Sequence, residues 1–254
     1  ASSTFHKLVM VDLAPAIWKA RCKPSTPSPP AVAPMPAMPP GFSTRNSSLA
    51  AFAGVYVRDA LQRWEPRVVV TAVDAEFSEQ VRTLMDKARL ACPTDELAAE
   101  AIATLKDLNA KLDAHLVDEW TTPAGTRIDL PARGNLTVPP YEVEHAGPDG
   151  VTATVRFRVF HLGGNGVAHG GQVAVAFDDL GGMASAVAVH GVCRTAYLKV
   201  NYRSLTPLET PLTLRTWVDR REGRKLFVAG TLHDGERLCA DLESLFIELK
   251  PGQP

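Results

Sequence analysis

Between residues 172 and 190 the chain reads QVAVAFDDLGGMASAVAVH, apolar on nearly every side of a helix. Such a helix has to be buried on most of its surface, so the segments around it decide what can cover it. Ahead of it, Val151, Ala153, Val155, Phe157 and Val159 alternate with Thr152, Thr154, Arg156 and Arg158. Period two predicts a strand with one buried and one wet face. Gly147-Pro148-Asp149-Gly150 predicts the turn before that strand, which makes YEVEH at 141–145 its hairpin partner. Gly191, after His190, signals the end of the helix. Strands follow in TAYLKVNYRSL, PLTLRTWVD, KLFVAGTLHDG and RLCADLESLFIEL, with Glu222-Gly223 and Asp234-Gly235 as hairpin turns. One apolar helix set among antiparallel strands is covered only if the sheet wraps around it. The expected class is therefore α+β, an antiparallel sheet wrapped around a central apolar helix.

The rest of the chain divides by composition. Residues 1–46 form a Pro-rich tail or linker, with eight prolines between Pro24 and Pro40 that favour an extended polyproline-II chain. Residues 47–120 read as a helical extension, and 121–254 as the sheet-and-helix domain. In the extension Leu97, Ala101, Leu105, Leu108, Leu112 and Leu116 share one helical stripe, with Thr94 as N-cap and Asp95 and Glu96 in the first turn. Phe77, Val81, Leu84, Met85 and Ala88 make a second stripe. Two such helices cannot close a core alone, so they are expected to pack on the sheet-and-helix domain, on each other, or on a partner subunit. His115 is expected on a helix surface. A net charge of -1 sets aside nucleic-acid binding through a basic field. No run reaches the roughly 18 apolar residues of a membrane span. Cys22, Cys92, Cys193 and Cys239 lie far apart with no C-x-x-C pair, and are read as reduced thiols of a cytoplasmic protein.

Asp178 and Asp179 interrupt the apolar helix. An ionised carboxylate there needs a partner or a task. Adjacent helical positions point about 100° apart, so one can face a cleft while the other reaches the surface or a cation. Pairing with a basic residue and service as general base or nucleophile are both open readings. His169-Gly170-Gly171 stands directly ahead. Glycine lets a ligand approach the backbone, and the first helical N–H groups are unpaired donors at the positive end of the dipole. They suit a carbonyl oxygen that gains negative charge. Eight residues separate Gly170 from Asp178, about 12 Å along one straight helix. Both can serve one reacting carbonyl only if a second subunit lays its helix alongside, so shared use predicts a dimer with composite sites.

GNGVAHGGQVAVAFDDLGG followed by RTAYLKVNYRSLTPL resembles the hotdog-fold acyl-CoA thioesterases of the phenylacetate-degradation and thioesterase-superfamily type. The helical extension is similar to that of actinobacterial relatives. The family pattern, H-G-G and then an acid after six residues, falls on His169, Gly170, Gly171 and Asp178. The resemblance implies a hotdog fold and hydrolysis of acyl-CoA to free acid and coenzyme A, as in fatty acid metabolism. It makes Asp178 the base or nucleophile, with Asp179 the additional acid. Gly170 supplies the N–H that polarises the thioester carbonyl, and Thr195 bonds the carboxylate or the water. Asn165 stands nearest to the position of a water-orienting amide. His169 either holds the loop or moves a proton. Val173, Ala176, Phe177 and Met183 are the implied walls for the acyl chain. Coenzyme A phosphates call for cations such as Arg194 and Arg203, with Arg220, Arg221, Arg224 and Lys225 also at hand. The implied assembly is a homodimer or dimer of dimers, with no metal and no cofactor beyond the coenzyme A of the substrate. A non-catalytic acyl-CoA or lipid-binding hotdog protein is the alternative, disfavoured by the acid at 178. No G-x-S-x-G marks a serine hydrolase, no G-K-[ST] follows the glycines, and no Pro-containing run follows His169 as in dehydratase relatives.

Overall fold

In the computed structural model, residues 72–118, 122, 124, 125, 127, 129–250 and 252 are described. The Pro-rich reading of 1–46 and the helical reading of 47–71 lie outside them. Two helices come first, α1 (Ala72–Leu90) and α2 (Asp95–Asp113). A hairpin, β1 (Tyr141–Gly147) and β2 (Gly150–Arg156), follows, then two short strands, β3 (Leu162–Gly164) and β4 (Val167–Ala168). The apolar helix is α3 (Gly170–Val189). Four long strands close the domain: β5 (Cys193–Tyr202), β6 (Pro211–Glu222), β7 (Lys225–Asp234) and β8 (Arg237–Glu248). The main sheet runs β1-β2-β6-β7-β8-β5 and every neighbouring pair is antiparallel.

The sheet wraps α3 as the pattern of burial requires. Val173, Phe177 and Leu180 from the helix and Val155, Leu214, Leu226 and Phe246 from the sheet are all sealed from solvent in one core. Close approach depends on glycine at two points. A Cβ on Gly181 would lie 3.1 Å from the Phe246 ring, and one on Gly230 would lie 2.9 Å from the Arg215 carbonyl oxygen and 3.1 Å from the Phe177 ring. Buried hydroxyls are satisfied by backbone: Thr216 Oγ1 donates to the Leu180 carbonyl at 2.9 Å, and Ser185 Oγ to the Gly181 carbonyl at 2.8 Å.

Several local features differ from the sequence expectation. The β2 strand ends at Arg156, because Val159–His161 tighten into a 3-10 turn. His190, not Gly191, takes the left-handed conformation that ends α3, at φ 53° and ψ 37°. Histidine tolerates that region better than most side chains do, so no glycine is needed there. By length and a mean hydropathy of 1.2, α3 meets the crude requirement for a membrane span. The run of apolar residues missed this because Asp178 and Asp179 break it, and half of the helix is covered by the chain's own sheet. Cys92 is disulfide-bonded, contrary to the expectation of four reduced thiols, while Cys193 and Cys239 are free. Spacing alone does not tell which distant cysteines meet.

The helical extension departs furthest from expectation. Thr94 caps α2 as expected, accepting the Leu97 N–H at 3.3 Å. Yet α2 buries none of its residues, and Leu97, Leu105, Leu108, Leu112 and Leu116 are exposed. His115 is exposed in the turn beyond the helix end. In α1 the polar face is the docked one. Ser78 and Arg82 are buried there, whereas Phe77 and Leu84 from the apolar stripe are exposed. Arg82 donates to the carbonyls of Pro131 and Asn135, and Arg158 pairs with Glu79 and Asp86. α1 therefore packs on the sheet-and-helix domain, one of the placements expected of it, through polar rather than apolar side chains.

Candidate active site

His169 is the N-cap of α3. Its φ and ψ of -66° and 132° are extended, and its Nδ1 accepts the Gly171 N–H at 3.0 Å. An accepting Nδ1 leaves the ring proton on Nε2, so in this arrangement His169 holds the turn. The His169 carbonyl takes the N–H groups of Gln172 and Val173 at 2.9 and 3.3 Å. Gly170 N–H, at the first helical position, takes no partner among the described residues, as the geometry of a helix start dictates. Tyr202, from the end of β5, closes over the same residue. Its hydroxyl donates to the Gly170 carbonyl at 2.7 Å, and a Cβ on Gly170 would lie 3.1 Å from its ring. Glycine is thus the residue that fits under Tyr202 while leaving the N–H open.

The two aspartates have separate environments. Asp179 is held by Arg133, in an ion pair whose side chains are about one-fifth exposed, and by Tyr141, whose hydroxyl donates to Oδ2 at 2.5 Å. Burial, with the carboxylate beside it, pushes the Tyr141 phenol well above its ordinary range, so it stays a donor. Arg133 sits in a tight turn where it and Ala132 both have positive φ, 56° and 51°. Left-handed backbone is costly for such residues and persists where surrounding contacts fix it. Asp178 is half-buried one position earlier. Its Oδ1 accepts the Thr195 hydroxyl at 2.7 Å, and its Oδ2 takes no hydrogen bond among the described residues. Thr195 is exposed on β5, an edge strand of the sheet, beside a bulge. Both oxygens of Asp179 are therefore taken up by Arg133 and Tyr141, while Asp178 keeps one oxygen without a hydrogen bond among the described residues.

Gly170 and Asp178 do belong to one continuous helix, and eight residues at 1.5 Å each put them about 12 Å apart. The subunit brings Asp178 to Thr195 but not to Gly170. Asn165 occupies a two-residue hairpin loop with Gly166, at φ 51° and 76°, between the paired residues Gly164 and Val167. That is the primed-turn geometry for which Asn-Gly is selected, and the fold itself accounts for Asn165. Val173, Phe177 and Met183 point into the helix–sheet core, at 1%, 0% and 3% exposure, and do not line an open helix face. The apolar pattern of α3 could not separate these two faces, since it was apolar all round. Val175, on the other side, is 37% exposed.

Among the cations, Arg194 stands exposed on β5. Arg203 is exposed and bonds Asp241 at 2.5 Å, an interaction that holds the Asp241 carboxyl below the usual carboxylate range. The cations of the β6–β7 hairpin tip are also engaged: Arg220 with Glu222 in the tip, and Arg221 with Glu248 at the end of β8. Sequence reasoning missed Arg133, Tyr141 and Tyr202 as partners of the site. Asp179 in an apolar helix did signal that a cation had to exist, but the turn that supplies it lies 46 residues away.

A sheet wrapped around one buried helix is a hotdog domain, here with an H-G-G turn at the helix start and an acid eight residues after Gly170. Residues 165–240 match the Thioesterase superfamily model. Acyl-coenzyme A thioesterase THEM4 of Rattus norvegicus is 35% identical over 97 residues, 37% of this chain and 41% of that protein. THEM4 of Xenopus laevis is 36% identical over 88 residues, 34% of this chain and 39% of that protein. The matched region thus spans about two fifths of these curated relatives. A solved thioesterase superfamily protein superposes with a TM-score of 0.61 at 24% identity, over 70% of this chain and 96% of its own, which establishes the shared fold.

Proposed function

We propose that this protein hydrolyses acyl-CoA thioesters to the free acid and coenzyme A, as a homodimer with composite sites. The observation that carries the reading is the division of labour between the acids: Asp179 is held by Arg133 and Tyr141, while Asp178 presents a carboxylate that, among the described residues, is steadied by Thr195 alone. The thioesterase-superfamily match over 165–240 supports the reaction class.

In this reading the thioester carbonyl accepts the Gly170 N–H, whose direction is fixed by His169 on one side and Tyr202 on the other. Asp178 from a second subunit either takes a proton from the attacking water or attacks the carbonyl carbon itself to give a mixed anhydride that water then opens. In both routes the coenzyme A thiolate leaves and is protonated. Thr195 donates to one carboxylate oxygen and thereby aims the other. Arg194 and Arg203, both exposed, are the proposed partners of the coenzyme A phosphates. A place in fatty acid metabolism goes with this reading.

The test is release of free thiol from a panel running from acetyl-CoA to palmitoyl-CoA with phenylacetyl-CoA and benzoyl-CoA, for the wild type and Asp178→Asn, with the oligomeric mass read by light scattering. Turnover by a dimer or tetramer that Asp178→Asn abolishes is the expected result. Saturable acyl-CoA binding without turnover across the panel would sink the hydrolase and favour a binding protein.

A further inference from the structure

The face by which α1 docks is charged, and it docks on the segment that leads into the H-G-G turn. Asp86 is its centre. Its Oδ1 accepts the Phe160 N–H at 3.0 Å and its Oδ2 accepts Arg158 Nε at 2.8 Å. Arg158 reaches on to Glu79 at 2.7 Å, and Arg89 donates to the Leu162 carbonyl at 3.1 Å. The Asp86 and Arg158 side chains are only 17% and 15% exposed, so the pair is shielded from solvent on most sides.

From that pair a continuous series of bonds leads to the helix start. The Arg158 N–H donates to His161 Nδ1 at 2.8 Å. The His161 carbonyl accepts the His169 N–H at 2.8 Å. His169 Nδ1 in turn accepts the Gly171 N–H at 3.0 Å, which leaves the neighbouring Gly170 N–H free to point outward. His161 is 1% exposed, and burial pushes its imidazole down to about 4, so Nδ1 is an acceptor at neutral pH. The turn is tight as well as bonded: a Cβ on Gly163 would lie 2.8 Å from the His169 Cα. The short strands β3 and β4 alone, paired at only two positions, are a slight frame for a group that must be aimed.

We propose that α1 braces the active-site turn, with Asp86 as the positioning residue that, through Arg158, His161 and His169, fixes the Gly170 N–H in the direction a thioester carbonyl needs. The inference rests on the thioesterase reading above and gives the helical extension a task in the reaction. A donor that serves the oxyanion in the transition state loses its value when displaced by a fraction of the bond length, whereas substrate binding depends on many other contacts. Loosening the brace should therefore lower kcat and leave KM nearly alone.

The experiment compares Asp86→Ala, Asp86→Asn and Glu79→Ala in the full-length protein, by kcat, KM, Tm and amide hydrogen exchange of residues 158–171. Glu79→Ala is the control, since it removes a partner of Arg158 but touches neither Phe160 nor the turn. The expected order is a kcat loss of about tenfold or more for Asp86→Ala and about threefold for Asp86→Asn, which keeps an acceptor for the Phe160 N–H, with less than about twofold for Glu79→Ala. KM should stay within about twofold throughout, and exchange of 158–171 should rise in the same order while that of β6 and β7 does not. A folded Asp86→Ala protein with wild-type kcat and wild-type exchange in 158–171 overturns the proposal. So does a loss that Glu79→Ala reproduces at equal Tm. Should Asp86→Ala not fold, Asp86→Asn decides on the same readings. Exchange is read without substrate, so it separates failure of the brace from failure of the thioesterase reading, which a wild type inactive on every acyl-CoA would show.

Discussion

Replacing Asp179 by asparagine separates structural from chemical use of the paired acids. The carboxylate holds Arg133 with one oxygen and the Tyr141 hydroxyl with the other, and the ion-paired side chains are 18% and 20% exposed. Breaking a fully buried pair costs about 3–5 kcal/mol, while exposed pairs contribute about 1 kcal/mol or less. One-fifth exposure lies nearer the first limit. Asparagine keeps one acceptor, for either Tyr141 or Arg133 but not both, and that recovers part of the loss. The net cost is about 2 kcal/mol. At about 2–4 °C per kcal/mol for a fold of this size, the Tm should fall by about 4–8 °C. Turnover per folded molecule should stay within about threefold of wild type, because Asp179 has no oxygen to offer substrate. Thermal unfolding by circular dichroism and thiol release at a temperature well below both transitions read the two effects separately. A protein with unchanged Tm and turnover as low as that of Asp178→Asn would refute the assignment and exchange the roles of the two acids.

Two further predictions concern the helix start and the buried histidine. Gly170→Pro deletes the N–H proposed to polarise the thioester carbonyl, at a helix position where proline is tolerated, behind a residue whose φ and ψ of -66° and 132° suit a following proline; its Cβ also crowds the Tyr202 ring 3.1 Å away, so Gly170→Ala, which crowds Tyr202 alike but keeps the N–H, is the control. Thiol release should fall about 100- to 1000-fold with the circular dichroism spectrum retained, and wild-type kcat in that variant would remove Gly170 from the mechanism. His161 is the case for pH. Its folded value, lowered to about 4 by burial, lies below the unfolded value of about 6.5, so the unfolded chain takes up the proton first. Stability should accordingly decline as pH falls from about 6.5 to about 4, by at most about 3 kcal/mol, and urea unfolding of His161→Gln should lack that part of the decline; identical pH profiles for the two proteins would show that His161 is not held neutral.

The fold was legible because its determinants are periodic and local. The alternation at 151–157, the turn at 147–150 and the apolar run through α3 each specify an element without reference to any other. The placement of the candidate residues was legible for a related reason: the H-G-G turn and Asp178 lie along one helix, and Thr195, on the next strand, bonds Asp178. What stayed hidden was set by tertiary contact. Arg133 reaches Asp179 from an irregular turn with two left-handed residues, and nothing in PARG announces it. The periodicity of α1 pointed to the wrong docking face, because Arg82 and Asp86 found partners in Pro131, Asn135, Arg158 and Phe160 that no pattern in α1 could reveal. An all-round apolar helix likewise conceals which side meets the sheet, and so Val173, Phe177 and Met183 fell on the core side.

The subunit has two unfinished features, and they lie together. The ten-residue β5 is an edge strand with most of its side chains exposed, Tyr197 and Tyr202 among them. Long open edges invite pairing unless something covers them. Beside β5 runs the half of α3 that the sheet leaves uncovered, carrying Val175 at 37% exposure and, next to its buried side, the carboxylate that Thr195 of β5 holds. On the chemical side, Gly170 and Asp178 stand about 12 Å apart on one helix and cannot reach the same carbonyl. A two-fold axis beside α3 would resolve both, since an isologous contact brings each Asp178 toward the other copy's Gly170 while covering the same strip of helix and strand twice. The exposed strip of α3 and β5 supports the proposed homodimer, and the proposed sharing of one carbonyl by Gly170 and Asp178 requires it.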